Sequence, residues 1–334
     1  MLDVLNLPLM ALQVVFAIYT FQQKINLTLT CSRAKRVMRV ITSPNAVINL
    51  EVVVKYDGDY HYVEIDVGNE QKESMGRWIF EKRAMDFTSS EIIGETYVSF
   101  DPARHPPTDR LTPLTGVQSF HVMKSVVSFL DHMEYIFPNM TVDIVLENIN
   151  SSKMEGRLSF NKLFSRTQTI EFKRCTIPKE EMASIHELFQ QHHILVIRSS
   201  QLKFSEKISV QKIKFCYEYL KWASFFDADM FPFFQCQEIV IHGEFSTEKV
   251  VKMLRSWGYG KHPQLKKMKL SYVREPSMVL SSLRAKEWSE PGPRTFKLDN
   301  FELDCTKGWD IRGPNNVVGT LNFRENQLTF VVWN

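Results

Sequence analysis

Three histidines near the middle of the chain, His186, His192 and His193, come nearest to a metal site by residue type and proximity. A catalytic zinc needs three side-chain ligands, drawn from His, Asp, Glu and Cys, on one side of the fold. His192 and His193 are adjacent, so an extended backbone would direct their rings to opposite sides. No Cys or carboxylate at a suitable spacing completes the set, and we expect solvated or half-buried histidines. A metal-dependent hydrolase remains an alternative, which stoichiometric zinc in the purified chain would support.

Acidic residues occur at two further places that could carry chemistry. Glu180 and Glu181 follow Pro178 in the first turn of a predicted helix, where the helix dipole favours negative charge without any catalytic role. A second acidic pair, Asp227 and Asp229, lies within a phenylalanine-rich segment. Five phenylalanines within ten residues indicate a protein core, with an exposed recognition patch as the alternative. They are Phe225, Phe226, Phe231, Phe233 and Phe234.

Motifs that cradle a phosphate or activate a nucleophile are missing from the sequence. It contains no GxGxxG or Walker A loop, no GxSxG elbow and no HExxH helix. Its five cysteines form no CxxC pair, so they predict neither a zinc ribbon nor a disulfide framework. We therefore expect a protein that is not an enzyme, with no catalytic residue, no cofactor and no bound metal.

Charge and composition are those of an ordinary globular protein. Lys and Arg number 41 against 38 Asp and Glu, which gives a net charge of +3. These basic residues are scattered, unlike the concentrated basic surface of a nucleic-acid-binding protein, so we expect no nucleic-acid partner. A length of 334 residues predicts two domains, with room for a small third module.

The elements that would position a site begin with an uncharged, largely apolar run from Leu7 to Phe21. Asp3 precedes the run and no small-residue cleavage site follows it, so it does not resemble a signal peptide. It is also short for a membrane-spanning helix. We expect a helix from Leu7 to Tyr19, no membrane association, and a cytoplasmic or nuclear protein. Because this helix is apolar on nearly every side, a partner or the rest of the chain must cover it.

The remaining pattern predicts a mixed α/β protein. Two short helices, 25–31 and 33–40, are followed by a hairpin around Asp57-Gly58-Asp59 and a Pro-rich loop at 101–115. A helix at 120–137 then leads into alternating strands and helices, with strands at 141–146, 169–172, 194–197, 238–241 and 266–270 and helices at 179–190, 218–226 and 247–257. We expect Gly258 to end the last of these helices as a left-handed cap.

Spacings of roughly 25 to 45 residues between these strands are typical of an irregular leucine-rich-repeat-like domain. Residues 294–334 return to alternation and predict closing β strands.

The first forty residues resemble the F-box pattern. Leu7-Pro8, then Leu12, then Val15-Phe16 match its opening, and Ile25, Leu27, Leu29 and Cys31 match its second helix. Lys24, Thr30 and Ala34 depart from it. The segment from Trp222 to Leu270 and the tail from Gly308 to Trp333 resemble the type 2 F-box-associated domain of nematode F-box proteins. In the tail, Gly313-Pro314-Asn315-Asn316 replaces the usual acidic turn.

The resemblance implies a division of labour along the chain. Residues 1–45 would form the F-box, 46–110 a β-rich connecting region and 111–334 the F-box-associated domain. The F-box would dock on a Skp-family adaptor, and through it on cullin, while the associated domain holds an unidentified target protein. The chain would then be a non-catalytic substrate receptor of a ubiquitin ligase. The adaptor-binding residues implied are Leu7, Pro8, Leu12, Val15, Phe16, Ile25 and Leu29.

A second interpretation stays open. The chain could be a protein-interaction module with no ubiquitin-ligase role, whose N-terminal helices pack internally on its own β region.

Overall fold

A computed structural model describes most of the chain. The described residues are 8–43, 45–57, 60–71, 73–82, 91–93, 96–100, 114–119, 121–149, 163–178, 182, 185, 187–190, 193–202, 204, 206–216, 228–289 and 292–333. Within them the protein is a mixed α/β structure, as the alternation of strands and helices predicted. The chain forms two compact units, Met1–Ile170 and Glu171–Asn334. Their boundary lies inside the region 111–334 that the sequence analysis assigned to one domain.

Unit 1, Met1–Ile170, starts with three helices and continues into a mixed sheet with a fourth helix. The helices are α1 (Leu9–Ile18), α2 (Phe21–Thr30), α3 (Ser32–Ile41) and α4 (Val122–Ile136). The strands are β1 (Asn49–Asp57), β2 (Tyr60–Gly68), β3 (Ser74–Lys82), β4 (Glu91–Ile93), β5 (Thr96–Phe100), β6 (Leu114–Ser119), β7 (Thr141–Glu147) and β8 (Thr167–Lys173), in which the unit ends.

The strands of unit 1 follow the order β7-β1-β2-β3-β6-β5-β4. Strands β1 and β2 pair antiparallel with Asp57 opposite Tyr60, which confirms the predicted hairpin. Gly58 and Asp59 of its turn lie outside the described residues, as do residues 101–113 of the predicted loop over 101–115, whose last two residues belong to strand β6. Strand β7 runs parallel to β1, and β6 runs parallel to β3.

The core of unit 1 forms where α4 packs on the sheet. Phe129 of α4 lies 5.2 Å from the ring of Trp78 and 5.5 Å from that of Phe80, and all three side chains are fully buried. Burial of side chains of this size stabilises the fold by roughly 1.5–3 kcal/mol each. These aromatic contacts fix the sheet surface on which the N-terminal helices rest.

Unit 2, Glu171–Asn334, contains a second sheet region with two described helices, α5 (Thr247–Gly258) and α6 (Pro276–Leu283). Its strands are β9 (Thr176–Ile177), β10 (Ile194–Arg198), β11 (Gln201–Leu202), β12 (Ile208–Ser209), β13 (Lys212–Cys216), β14 (Phe234–Gln235), β15 (Glu238–Phe245), β16 (Lys267–Val273), β17 (Lys286–Glu287), β18 (Thr295–Leu298), β19 (Phe301–Asp304), β20 (Trp309–Arg312), β21 (Val318–Arg324) and β22 (Gln327–Val332). Two 3₁₀ turns lie at Ala228–Phe233 and Pro314–Asn316.

Four strands of unit 2, in the order β10-β13-β15-β16, are parallel to their neighbours. The strands β22, β21, β20 and β17 then continue antiparallel. Strands predicted near 194–197, 238–241 and 266–270 are present, as are closing strands within 294–334. Strand β13 and helix α6 were not predicted.

Two helix predictions in unit 2 have different outcomes. The helices expected at 179–190 and 218–226 fall partly or wholly outside the described residues. Helix α5 is present, but the expectation of a left-handed glycine at Gly258 was wrong. The helix ends at Gly258, and the positive backbone angle, φ 77°, occurs two residues later at Gly260.

Candidate docking surface

Helix α1 is a short helix whose ends are set by local backbone preferences. Pro8 precedes it with φ −54°, a value compatible with the start of a helix. At the other end Tyr19 is extended, and Thr20 caps α2. The Thr20 hydroxyl accepts from the Gln23 amide at 3.2 Å, while the Gln23 side chain accepts from the Thr20 amide at 2.9 Å. The chain therefore turns sharply between α1 and α2.

One side of α1 is an exposed apolar face. Met10, Val14 and Ile18 are exposed to 74%, 67% and 75%, and Ala17 between them is also exposed. Their spacing of i, i+4, i+7 and i+8 is the pattern that normally directs a helix face into a core. We call these four residues the α1 face. It presents to solvent the kind of surface that proteins usually bury.

The other side of α1 is covered by unit 1 itself. Phe16 is only 1% exposed, and α1 packs on α3. Helix α1 thus has one side attached to the protein and the opposite side open. The sequence could not distinguish these sides because both are apolar.

Helix α2 is held against β3 by side-chain hydrogen bonds. The Gln22 amide donates to the Arg77 carbonyl at 3.0 Å, and the Trp78 indole donates to the Asn26 side chain at 2.9 Å. Gly76 makes this approach possible: a Cβ there would lie 2.9 Å from the Trp78 ring and 3.3 Å from the Gln22 Cβ. Ile25 of the same helix is fully buried. Helix α2 is therefore part of the unit 1 core.

A buried polar pair joins α2 to α4. The Thr28 hydroxyl donates to the Ile25 carbonyl at 2.7 Å and lies 2.8 Å from His132 Nε2. Since the hydroxyl proton is already used, His132 Nε2 carries the hydrogen of the second bond. Burial, with a further contribution from the positive charge of Lys35, lowers the pKa of His132 to about 3. This histidine is a neutral structural residue.

Helix α3 is attached to the C-terminal end of α4. The Arg39 guanidinium donates to the Ile136 carbonyl at 3.3 Å, and the Lys35 ammonium lies 4.5 Å from the centre of the Tyr135 ring. Val37 and Met38 are buried, whereas Val40 is 69% exposed. The three N-terminal helices thus belong to the same compact unit as the β region that follows them.

The adaptor-binding residues inferred from the resemblance fall into three groups. Pro8 is exposed just ahead of the α1 face. Phe16, Ile25 and Leu29 are 1%, 0% and 8% exposed, so the chain's own residues cover them in this structure. Leu7 lies outside the described residues, and of Leu12 and Val15 only the backbone, within α1, is described. The exposed members of the α1 face were not among the inferred residues.

The candidate metal and catalytic residues do not assemble into a site in the described part of the chain. His193 is fully buried and its Nδ1 accepts from the Gln190 amide at 2.9 Å, while His186 and His192 lie outside the described residues. Among described residues there is no group of three or more His, Cys, Asp or Glu that could hold a metal ion. Glu180, Glu181 and Asp227 also lie outside the described residues.

The phenylalanine-rich segment is core where it is described. Phe231 and Phe234 are buried, Phe233 is half-buried, and Phe225 and Phe226 lie outside the described residues. The Phe231 ring stacks on His262 at 3.9 Å, and burial lowers the pKa of His262 to about 4. Asp229 is at the surface, paired with Lys252 at 2.6 Å. The exposed patch considered as an alternative is not present at these residues.

An open groove of about 610 Å³ lies beside α5 in unit 2. Lys252, Arg255, Tyr259, Met278 and Ser282 line it. Arg255 donates across the groove to the Ser282 carbonyl at 3.2 Å. Ser256 also lines the groove, and its hydroxyl lies 3.1 Å from Nε2 of the buried His262, whose Nδ1 lies 3.2 Å from the Phe234 carbonyl.

Comparisons with protein families, characterised proteins and solved structures gave no match. No helix in the described ranges is both long and apolar enough to cross a lipid bilayer.

Proposed function

We propose that the chain is a non-catalytic substrate receptor of a Skp–cullin–F-box ubiquitin ligase. The N-terminal helices would form an F-box that docks on a Skp-family adaptor, and through it on cullin. Unit 2, with its irregular leucine-rich-repeat-like strands and helices, would hold the target protein. The observation that supports the proposal best is the exposed α1 face.

The α1 face is an exposed apolar surface of the kind by which a helix binds a partner protein. Met10, Val14 and Ile18 occupy a single stripe on the side of α1 that faces away from Phe16. Covering three such side chains would contribute on the order of 5 kcal/mol of hydrophobic free energy. A binding surface that recognises one apolar helix face is a common mode of protein recognition.

The arrangement also assigns different tasks to the F-box-like residues. Phe16, Ile25 and Leu29 would hold the module on unit 1, and the α1 face with Pro8 would contact the adaptor. In this version of the F-box, the helices do not form an independent domain. They present one face from a rigid support, which reduces the entropy lost on docking.

Co-expression with a Skp-family adaptor tests the proposal. The wild-type chain should be recovered in a one-to-one complex, and Met10→Asp and Val14→Asp should each weaken adaptor binding by about 30-fold, since a central apolar contact is worth about 2 kcal/mol. Both positions are exposed, so the thermal unfolding of the free chain should be unchanged. Isothermal titration of the purified chain with adaptor gives the dissociation constants.

Met278→Asp is the matched control, because Met278 is an exposed methionine, 51% accessible, on helix α6 of unit 2. It should leave adaptor binding at the wild-type level. The proposal fails if the wild-type chain captures no adaptor, or if both α1 variants bind it as well as wild type does.

The internal contacts of α2 and α3 favour one alternative, an interaction module with no ligase role. Trp78 with Asn26 and Thr28 with His132 fasten α2 to the rest of unit 1, and Arg39 with the Ile136 carbonyl fastens α3. This alternative expects a soluble monomeric chain on its own and no adaptor in the co-expression experiment. Light scattering of the free chain, together with the pull-down, separates the two functions.

A further inference from the structure

The parallel strands of unit 2 have one buried face and one open face. On β13, Ile213 and Phe215 are buried, whereas Lys212, Lys214 and Cys216 are half-buried. On strand β15, Ile239 and Ile241 lie in the core, Glu238 and His242 are half-buried, and Val240 between them is buried. Because side chains alternate along a strand, the half-buried residues lie on one surface. We call this surface the open sheet face.

The pairing register places the residues of the open sheet face in rows that run across the strands. The first row contains Ile194, Lys212, Glu238, Lys267 and Val331. The second contains Val196, Lys214, Val240, Lys269 and Thr329. The third contains Arg198, Cys216 and His242. Each row crosses adjacent strands nearly at right angles to them.

Charges in the first row are matched. Glu238 lies 3.0 Å from the Lys212 ammonium and 2.7 Å from the Lys267 ammonium. Burial alone would raise the pKa of Glu238, but the hydrogen bonds from Lys267 and Lys212 bring it below its ordinary value. The Lys267 ammonium also lies 3.8 Å from the centre of the Phe301 ring of β19. The charged side chains of the first row are therefore all engaged in contacts within the chain.

Charges in the third row and at the end of β15 are also matched. Arg198 pairs with Glu171 at 2.5 Å, and Arg274 pairs with Glu244 at 2.5 Å. His242 Nδ1 lies 2.9 Å from the Ser271 hydroxyl. The charged residues on both sides of the second row therefore have partners within the chain.

The second row carries two lysines for which the described residues supply no carboxylate. Lys214 and Lys269 flank Val240 across β13, β15 and β16, and neither forms an ion pair within the described part of the chain. Their backbones are two strand spacings apart, roughly 10 Å. Val240 and Val196, 8% and 7% exposed, form the floor of the row.

His242, in the third row, is affected by the charges of both lysines. Burial lowers its pKa first, and the positive charges of Lys214 and Lys269 lower it further. The like charges of Lys214 and Lys269, whose backbones are roughly 10 Å apart, produce a weak repulsion that no carboxylate in the second row offsets. A carboxylate bound over the second row would relieve it.

The chemistry of the row favours an acidic peptide over a nucleic acid. Single-stranded nucleic acids bind through basic side chains interleaved with aromatic platforms on which the bases stack. Lys214 and Lys269 alternate with valines instead, and the second row contains no aromatic residue. Valine beside lysine suits a peptide in which acidic and aliphatic side chains alternate.

We infer that the open sheet face of unit 2 binds an acidic segment of a partner protein across the Lys214–Val240–Lys269 row. The inference rests on the proposed function only for the idea that unit 2 holds a target. Binding is to the chain itself, so it is independent of the adaptor. Its electrostatic part weakens with salt, because ions in solution screen the attraction between the two lysines and the carboxylates of the peptide.

A fluorescein-labelled peptide of about eight residues, with Glu and Val alternating, is a suitable probe for the full-length chain, since an extended peptide of that length crosses the five strands of the row. Fluorescence anisotropy should show saturable binding that weakens as salt is raised. Lys214→Glu with Lys269→Glu should weaken it by at least about 30-fold, equivalent to two charge pairs of about 1 kcal/mol each. A peptide with every Glu replaced by Gln should not bind.

Lys286→Glu with Lys307→Glu is the matched control, because it reverses two exposed charges elsewhere in unit 2. It should leave peptide binding at the wild-type level. The milder pair Lys214→Gln with Lys269→Gln, checked by thermal unfolding, replaces the charge-reversal pair if that one fails to fold, and should weaken binding in the same direction.

Three results would overturn the inference: no binding of the peptide, an equal loss in both charge-reversed chains, or displacement of the peptide by a single-stranded RNA oligomer that binds more tightly. The chain carrying Val14→Asp should bind the peptide as wild type does. A failure of the adaptor experiment therefore leaves this measurement intact, and the reverse is also true.

Discussion

The buried histidine behind α2 makes the stability of unit 1 depend on pH. His132 donates from Nε2 to the Thr28 hydroxyl and is almost completely enclosed. Its pKa in the folded chain is about 3, against an ordinary value of 6.5. When the pH lies between these two values, His132 is therefore protonated in the unfolded chain and neutral in the folded chain.

Acidification should accordingly destabilise the protein, with the full His132 contribution present above pH 6.5 and lost progressively as the pH falls towards 3. His132 contributes about 2 kcal/mol of the loss between about pH 7 and about pH 5, at about 1.4 kcal/mol per pH unit below the unfolded pKa. The buried His262, whose pKa is lowered to about 4, adds to the total, so comparison with a His132 variant gives the share of His132. Urea unfolding at the two pH values measures the loss.

The variant His132→Asn should be less stable at neutral pH and show a smaller loss on acidification. His121→Asn, at the exposed residue just before the same helix, is the control and should keep the wild-type slope. An identical slope in wild type and His132→Asn would contradict this explanation.

At the scale of one element, α1 combines a structural side with an interaction side. Phe16→Ala should lower the free energy of unfolding by about 3–5 kcal/mol, because it empties a fully buried aromatic position. Ile18→Ala should change it by less than about 0.5 kcal/mol, because the side chain is 75% exposed. Denaturant unfolding of the two variants compares the sides directly. Equal losses in the free energy of unfolding would contradict the placement of Phe16 on the buried side of α1 and Ile18 on its exposed side.

The closing strands of unit 2 pack on α5 through a position without a side chain. The Trp257 and Phe330 rings meet edge to face at 4.9 Å, and a Cβ on Gly319 of β21 would overlap the Phe330 ring and approach Trp257 to 2.9 Å. Gly319→Ala should therefore destabilise the protein by about 1–3 kcal/mol through overpacking.

Gly258 offers the matched substitution in the same unit. A Cβ there would meet no atom within 4 Å, and the residue ends α5 without a positive φ. Gly258→Ala should be neutral or raise the free energy of unfolding by up to about 1 kcal/mol. The unfolding temperature should fall for Gly319→Ala, and for Gly258→Ala it should stay the same or rise. A loss of similar size for both would exclude the packing argument.

Elements with strong periodicity could be predicted from the sequence, and weak or short ones could not. The hairpin of β1 and β2 follows from alternation on both sides of Asp57-Gly58-Asp59, and the helix predicted over 247–257 is present as α5. Strand β13 alternates as well, but five residues are too few to separate from chance. Helix α6 has only one buried side chain, Val279, so its sequence carries little amphipathic signal.

The two candidate surfaces could not be predicted from the sequence either, but for a different reason. An all-round apolar helix predicts that a cover is needed, yet only packing decides that Phe16 lies inside and Met10 outside. Likewise, Lys214 and Lys269 are 55 residues apart in the chain and become neighbours of Val240 only through the strand register. Sequence-distant contacts of this kind leave no local pattern.

At the scale of the whole molecule, the N-terminal helices are part of a larger unit. The sequence analysis placed a domain boundary after residue 45, whereas Met1–Ile170 is compact as a single unit. Removal of residues 1–45 would uncover Trp78 of β3 and Phe137, whose ring lies 5.8 Å from that of Phe21. The loss would also include the buried side chains of Phe16, Ile25 and Leu29.

A fragment of residues 46–334 should therefore be unstable or aggregated. The lost burial amounts to on the order of 10 kcal/mol, comparable to the total stability of a typical domain. Expression of the fragment beside the full chain, followed by size-exclusion chromatography and thermal unfolding, tests this. A monomeric fragment that unfolds cooperatively at the full-chain temperature would show that residues 1–45 are a separate module.

The hydrogen bond between Trp78 and Asn26 provides a measure of how often α2 separates from β3. The indole hydrogen is enclosed between α2 and β3, so it can exchange with heavy water only during the moments when α2 lifts from the sheet. Its exchange lifetime therefore records how often the helical module opens. An adaptor that grips only the far side of α1 would leave that lifetime unchanged, whereas one that pulls α2 away would shorten it.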